Sequence, residues 1–461
     1  MEKQNRQQLA CDFIHNNYVA FQRLRFDEIA QKVQVRTEDD TWRYITNADI
    51  NTMVCDCCTE TGTGISSREI LTVLNAGNSY IPRVHPLREY VHNLRPYTPD
   101  QPDWIDMVAQ QVHIVDACAT DRREAPVDRP CGAVDGRSAT PVVFHSELQC
   151  SASETNYNEA ERSDLQGFAR STASDLLWRR CFKKWFVAMV ASWMKDEIVN
   201  HQVLVLIGKQ GIYKTTWLER LIPPQLRDYC CKLANSTQLT KDDRLRIAEF
   251  GLINMDELDA MTPRELNAIK SIITASDVNE RAAYGYTKER RMRLASFCAS
   301  SNRREFLTDI TGNRRWLPFE VESIQNPFFT TLPYEYMYAQ AWALANDPSF
   351  SYWFELDEIA IIEQHNEDFR AQDSEEQLLP ILFDIPAEGK GEFMTTAQIS
   401  ERLVTYGNIK KPMVLSRLGM LLGQTGYKAV RPRVGGAKTR GWVVYQRDTE
   451  EINAMKRLLR E

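Results

Sequence analysis

The sequence predicts an α/β protein whose central domain carries a mostly parallel sheet, with a mainly helical domain before it and a winged-helix-like unit after it. Three observations lead there. Val203-Leu204-Val205-Leu206-Ile207 is an uninterrupted, β-branched-rich apolar run, the mark of a strand buried on both faces. Gly251–Met255, ending in acids, and Leu294–Ala299 read as a second and a third strand, alternating with helices. Finally, Gly208-Lys209-Gln210-Gly211-Ile212-Tyr213-Lys214-Thr215-Thr216 follows the first strand directly and opens a helix near Lys214.

The elements follow in order along 461 residues, a length that suits two to three domains. Residues 1–116 read as mainly helical: Leu9, Phe13, Tyr18, Phe21 and Leu24 recur at near-helical intervals, and Ser66-Ser67-Arg68-Glu69 forms a capping-box pattern ahead of Ile70, Val73 and Leu74. Trp42–Ile45 reads as a short strand, and Pro86–Leu94 as a short helix. Residues 117–172 are rich in Ser, Thr, Asp, Arg, Gly and Pro and lack apolar periodicity, as expected of a low-order insertion or linker. The α/β core spans 173–325 and opens with a helix striped by Leu177, Cys181, Trp185, Ala188 and Ala191. A helical connector, 326–390, precedes a terminal unit at 391–461. There Thr395 caps a helix carrying Ile399 and Leu403, a second helix carries Val414, Leu418 and Leu421, and short strands follow near Tyr427–Val430 and Trp442–Tyr445.

Composition narrows the function classes. With 43% hydrophobic and 26% charged residues the chain is an ordinary globular one. It has no apolar run long enough for a bilayer, and its polar start lacks a signal core, so a cytoplasmic protein with no membrane partner is expected. Eleven cysteines include the cluster Cys55, Cys57 and Cys58, but no second pair at zinc-site spacing, and His85 and His92 stand alone; reduced thiols are the reading. The net charge of −7 leaves room for local basic faces.

The glycine-rich segment has the context of a phosphate loop. Its backbone N–H groups, from Gly208 through Gln210, Gly211, Ile212 and Tyr213 to Thr216, would curl around phosphates; Lys214 would reach the β- and γ-phosphates, and the Thr215 hydroxyl would help hold Mg²⁺. Tyr213 stands where the pattern Gly-x4-Gly-Lys-Ser/Thr has its second glycine, a backbone position that glycine enters more cheaply. Asp256 and Glu257 close the second strand at its carboxyl edge, where open α/β sheets bind ligands. Asp256 suits Mg²⁺, and Glu257 suits orienting or deprotonating a water. Asn302, after the third strand, can hydrogen-bond a γ-phosphate or position that water, and Arg314-Arg315, after a Gly-Asn turn, suit an arginine finger.

Taken in this order, Gly208–Thr216, Asn254–Leu258, Asp277–Gly285, Ser300–Asn302 and Thr311–Trp316 resemble the virulence-associated protein E family, relatives of the superfamily 3 helicases within the AAA+ class. The resemblance implies an AAA+-like core that binds ATP and Mg²⁺, acts in replication of phages, plasmids or other mobile elements, and assembles as a homo-oligomer, with a hexameric ring one arrangement. It also implies a hairpin touching single-stranded DNA in the ring channel. Here that stretch is Arg281 to Arg293, with Arg281, Tyr284, Tyr286, Lys288, Arg290, Arg291 and Arg293 against one acid, Glu289. A second basic region runs from Arg402 to Arg447 with ten Lys or Arg and no acid; on a winged helix, Lys428, Arg431, Arg433, Lys438 and Arg440 would face duplex DNA.

Two functions therefore stand open: an ATP-driven DNA helicase or translocase, and a nucleotide-switched origin-binding or regulatory protein with little turnover, which Tyr213 favours. A metabolic P-loop kinase needs neither the basic hairpin nor the basic tail. Residues 1–116 hold no metal-binding acidic constellation of a primase.

Overall fold

The computed structural model describes residues 2–75, 81–115, 172–233, 241–280, 289–307, 313–386, 391–434 and 437–458. The expected insertion at 117–172 thus lies outside the described residues, apart from Thr172, and so do Arg281, Tyr284, Tyr286 and Lys288. The chain forms two compact units, Met1–Asn302 with Leu317–Glu355, and Arg303–Trp316 with Leu356–Glu461.

The first unit begins with α1 (Glu2–Ile14) and the strands β1 (Leu24–Asp27), β2 (Lys32–Arg36) and β3 (Trp42–Tyr44). Then come α2 (Asn47–Thr61), α3 (Ser67–Asn75), β4 (Arg83–Val84), α4 (Pro86–His92), α5 (Trp104–Ala109) and β5 (Val112–Ile114). Alongside these helices, β1–β4 form a four-stranded sheet in the order β3-β2-β1-β4, of which β3 is the strand expected at Trp42–Ile45. Its strands are three to five residues long or shorter, too brief for period-two alternation to show against the helices. The Ser66 capping box is present, with the Ser66 and Glu69 side chains bonding each other's backbone N–H. Cys57 is buried in the core beneath α2, and Cys58 Sγ accepts from the Ile65 N–H at 3.1 Å.

The rest of this unit is α6 (Ala173–Met194), β6 (Val203–Ile207), α7 (Lys214–Arg220), β7 (Cys230–Leu233), α8 (Lys241–Glu249), β8 (Leu252–Met255), α9 (Pro263–Thr274), the hairpin strands β9 (Asp277–Glu280) and β10 (Glu289–Met292), β11 (Ser296–Ser301), β12 (Trp316–Ile324) and α10 (Tyr334–Asn346). The six-stranded sheet runs β5-β12-β6-β11-β8-β7; β11 is parallel to both β6 and β8, β7 is parallel to β8, and β5 is antiparallel to β12. The three apolar runs are therefore the three central neighbours, with β11 between the strand before the glycine-rich loop and the strand that ends in acids. Every residue of β6, β8 and β11 is buried.

Helix α6 covers this sheet through Trp178, Phe182, Trp185, Phe186 and Trp193, all fully buried. Its three indoles each donate to a main-chain carbonyl, of Ala109, Phe297 and Gly251, so large apolar area is buried without orphaning an N–H. The N-terminal sheet is joined to the core by Asp27, fully buried, whose carboxylate accepts from the Tyr44 and Tyr229 hydroxyls at 2.8 and 2.6 Å and from the Ile29 and Ala30 N–H groups. Burial beside that carboxylate drives both tyrosines above their ordinary range.

The second unit holds α11 (Leu356–Glu367), α12 (Ser374–Leu382), β13 (Phe383–Asp384), β14 (Glu392–Met394), α13 (Thr396–Gly407), α14 (Leu415–Gln424), β15 (Lys428–Val430), β16 (Arg433–Val434), β17 (Ala437–Lys438), β18 (Gly441–Gln446) and α15 (Thr449–Leu458). Thr395 caps α13 in a capping box with Gln398. Ile399, Leu403, Leu418, Leu422, Trp442 and Val444 form the core, and β13, β14 and β15 all pair antiparallel with β18. The boundary expected at 391 falls inside this unit, because α11 and residues 303–316 pack into it; Asn366 donates to the carbonyls of Asn313 and Trp316. No described helix is long and apolar enough to cross a membrane.

Candidate phosphate-binding site

The loop between β6 and α7 makes a tight turn that the sequence dictates at one glycine in particular. A Cβ on Gly208 would lie 2.7 Å from the Val321 carbonyl oxygen, so only glycine lets this strand end pass β12. Gly211 follows with φ +86°. Tyr213 takes φ +68°, the left-handed conformation, as the N-cap residue of α7. A tyrosine thus occupies the backbone geometry that a glycine adopts at no steric cost, and the expectation of strain at this position is met.

That turn aims Lys214 across the mouth of the loop. Its Nζ donates to the carbonyls of Gly208 and Lys209 at 2.8 and 2.7 Å and to Asn302 Oδ1 at 3.2 Å. Lys214 is 6% exposed; burial pushes its ammonium below the ordinary lysine value, against the pull of Asp256 and Asp259. Thr215 donates to Asp256 Oδ1 at 2.9 Å, and Ser300 donates to the same oxygen at 2.5 Å. The Glu257 N–H is a third donor to it, at 3.2 Å. Burial alone would raise Asp256, but the hydroxyls of Ser300 and Thr215 outweigh it and hold the carboxyl below its ordinary range.

Lys214, Thr215, Asp256 and Asn302, singled out in the sequence, therefore converge. Gly208, Gln210, Gly211, Ile212, Tyr213 and Thr216 supply the loop and the first turn of α7. Glu257 lies beside them, exposed, with its own backbone left-handed at φ 54°. Two participants were missed. Ser300 pairs in register with Leu206 at the end of β6, so strand order, which sequence does not display, brings it to the loop. Asp259 accepts from the Asn302 N–H at 3.3 Å after a short turn that folds it back under β11. The oxygen set of Thr215, Asp256 and Ser300 fits a hard divalent cation. Among the described residues, no group of three or more His, Cys, Asp or Glu is arranged to hold a metal on its own.

The arginines divide differently. Arg314 and Arg315 lie in the second unit on the turn Asn313–Arg315, the first exposed and the second half-buried. In the hairpin, Arg290 is exposed and ion-paired with Asp277 at 2.6 Å. Arg291 is mostly buried, paired with Glu249 at 2.9 Å and bonded to the Ile29 carbonyl. Arg293 is 2% exposed and donates to the carbonyls of Ala295, Ile273 and Asn200, so its inclusion in a nucleic-acid face is corrected: it is a core cation. By contrast Lys428, Arg431, Arg433, Lys438 and Arg440 are all exposed. Arg433 and Lys438 stand directly opposite each other across β16 and β17, a like-charge pairing that costs stability. Helix α14 exposes Leu415, Ser416, Met420 and Gln424, and its single cation, Arg417, pairs with Asp373.

Fold and site together define an α/β protein whose mixed sheet carries, at the carboxyl ends of its central parallel strands, a glycine-rich loop with a buried lysine and an acid–hydroxyl cluster. Residues 156–371 match the virulence-associated protein E-like domain, the same family that the order of motifs resembles. No curated protein matches it. Among solved structures, it is similar to "The apo structure of NrS-1 C terminal region (305-718)", at 12% identity over 91% of this chain and 95% of that one, with a TM-score of 0.38. A second, "The A form apo structure of NrS-1 C terminal region-CTR", aligns at 10% identity over 92% and 96%, with a TM-score of 0.40.

Proposed function

We propose that the chain is a DNA-directed ATPase with an AAA+-like P-loop core and a winged-helix-like C-terminal unit, serving replication of a mobile genetic element. The observation that carries this is the convergence of Lys214, Thr215, Asp256, Ser300 and Asn302 on one loop at the carboxyl edge of a parallel sheet. In this reading the loop amides and Lys214 bind the β- and γ-phosphates of ATP. Thr215 and Asp256 hold Mg²⁺, which supplies charge neutralisation on the transferred phosphoryl group. Glu257 takes the proton of the attacking water, and Asn302 orients that water against the γ-phosphate. Arg314 or Arg315 of a neighbouring copy completes the site in a ring. Arg281, Tyr284, Lys288 and Arg290 meet single-stranded DNA, while Lys428, Arg431, Arg433, Lys438 and Arg440 meet duplex phosphates.

The test is ATP hydrolysis by the full chain with and without single-stranded DNA. Turnover that rises with DNA and vanishes in Lys214→Ala supports the motor. Equal rates with and without DNA refute it. The left-handed Tyr213 favours a second reading, a nucleotide-switched DNA-binding protein. Tight ATP binding without turnover selects it.

A further inference from the structure

Tyr213 is expensive where it stands, and its ring has a partner. It meets Phe328 at 6.2 Å between centroids, nearly perpendicular at 80°. Phe328 belongs to a turn tied by Asn326, whose side chain accepts from the Phe328 N–H at 3.0 Å and whose carbonyl accepts from the Phe329 N–H at 3.1 Å. The turn is fastened to α7, because Arg220 donates to the Thr330 carbonyl at 3.0 Å. Yet Phe328 remains 72% exposed. A large aromatic held by a ring contact to Tyr213 and otherwise mostly in solvent offers surface for stacking.

Beside it lies a cleft of about 550 Å³ lined by Thr216, Glu219, Arg220, Arg227, Lys232 and Phe328. The cleft begins at Thr216, the residue after Thr215, and runs along the outer face of α7. Its position next to the loop leaves room for the nucleoside of a triphosphate seated there, and its volume suits one. One wall is aromatic, and Glu219, Arg220 and Arg227 add hydrogen-bonding groups of both kinds.

Building on the nucleotide-binding reading, we propose that this cleft is the nucleoside subsite, with the base of a purine nucleoside triphosphate stacked on Phe328 and Tyr213 bracing that ring. The tyrosine in the loop is then a specificity device as well as a strained residue: its backbone cost is set against a fixed stacking surface.

Calorimetric titration of the full chain with ATP and with inorganic tripolyphosphate, both with Mg²⁺, separates base from phosphate. Phe328→Ala should weaken ATP about ten-fold, the low end of base–aromatic stacking, and leave tripolyphosphate unchanged. Phe328→Trp should keep the ATP affinity, and Tyr213→Gly should shrink the preference for ATP over tripolyphosphate. If Phe328→Ala changes neither ligand, or weakens both equally, the subsite is wrong. If the native chain binds neither ligand, the nucleotide-binding reading itself fails, and the subsite with it. Native chain that binds both equally overturns the subsite alone.

Discussion

The two basic stretches look alike in sequence and differ in the fold. In the hairpin, Arg291 and Arg293 are spent within the protein, on Glu249 and on the carbonyls of Ile273 and Asn200, while Arg290 stays exposed beside Asp277. From Lys428 to Arg440 the cations are exposed, and two of them face each other. A count of basic residues therefore overstates the footprint of the hairpin strands and states that of the C-terminal strands correctly. What separates them is supply of acceptors: β10 passes the carbonyl-rich end of α9 and an acid on α8, whereas the C-terminal strands have no acid between Arg402 and Arg447. Charge is available to a partner only where the fold has not already used it.

The largest test of that contrast is Arg293→Met. It leaves several buried carbonyls without a donor, at roughly 1–3 kcal/mol each, and should cost about 3 kcal/mol in urea denaturation. A loss below about 1 kcal/mol would show that Arg293 is not a core cation. Next comes His85, which lines the same cleft as Arg291 and Arg293. Burial, then Arg88, lowers its imidazole from 6.5 to about 4, and Nδ1 accepts the Arg88 N–H as the cap of α4. The unfolded chain takes up the proton first, so this contribution is intact above pH 6.5 and falls as pH drops toward 4. The expected loss by pH 5 is on the order of 1–2 kcal/mol, and His85→Asn, which keeps a cap, should flatten the profile. The smallest stability effect belongs to Arg433→Ala with Lys438→Ala: within about 0.5 kcal/mol, and stabilising if anything. Duplex binding should nonetheless weaken, with a salt dependence shallower by about one unit per removed phosphate contact. An unchanged slope in anisotropy titrations would take these strands out of the interface.

Much of the α/β core was legible. Val203–Ile207 is a strand because an unbroken apolar run rich in β-branched residues has few other uses, Leu252–Met255 is a shorter one, and the loop and acids sit at their ends. The third strand is Ser296–Ser301 rather than 294–299, since Leu294 and Ala295 bond backward to Ile247 before the ladder begins. Of the N-terminal sheet β3 was legible, at Trp42–Ile45, and β1, β2 and β4 were not, because strands of two to five residues leave so little pattern. Asp27 was one of 63 acids in the sequence and became a hub only once Tyr44 and Tyr229 met it. In the site, Lys214, Thr215, Asp256 and Asn302 announced themselves by motif position. Ser300 depended on strand order, and Phe328 on a contact with Tyr213 across more than a hundred residues.

The central claim is that Lys214, held over the loop by Gly208, Lys209 and Asn302, grips a triphosphate. The most direct measurement is ATP affinity in the presence of Mg²⁺ for the native chain and for Lys214→Ala, with circular dichroism confirming that the variant is folded. A loss of at least about ten-fold is expected, since the variant removes a charge-assisted contact of about 1.5–3 kcal/mol. Equal affinity in a folded Lys214→Ala variant would contradict it.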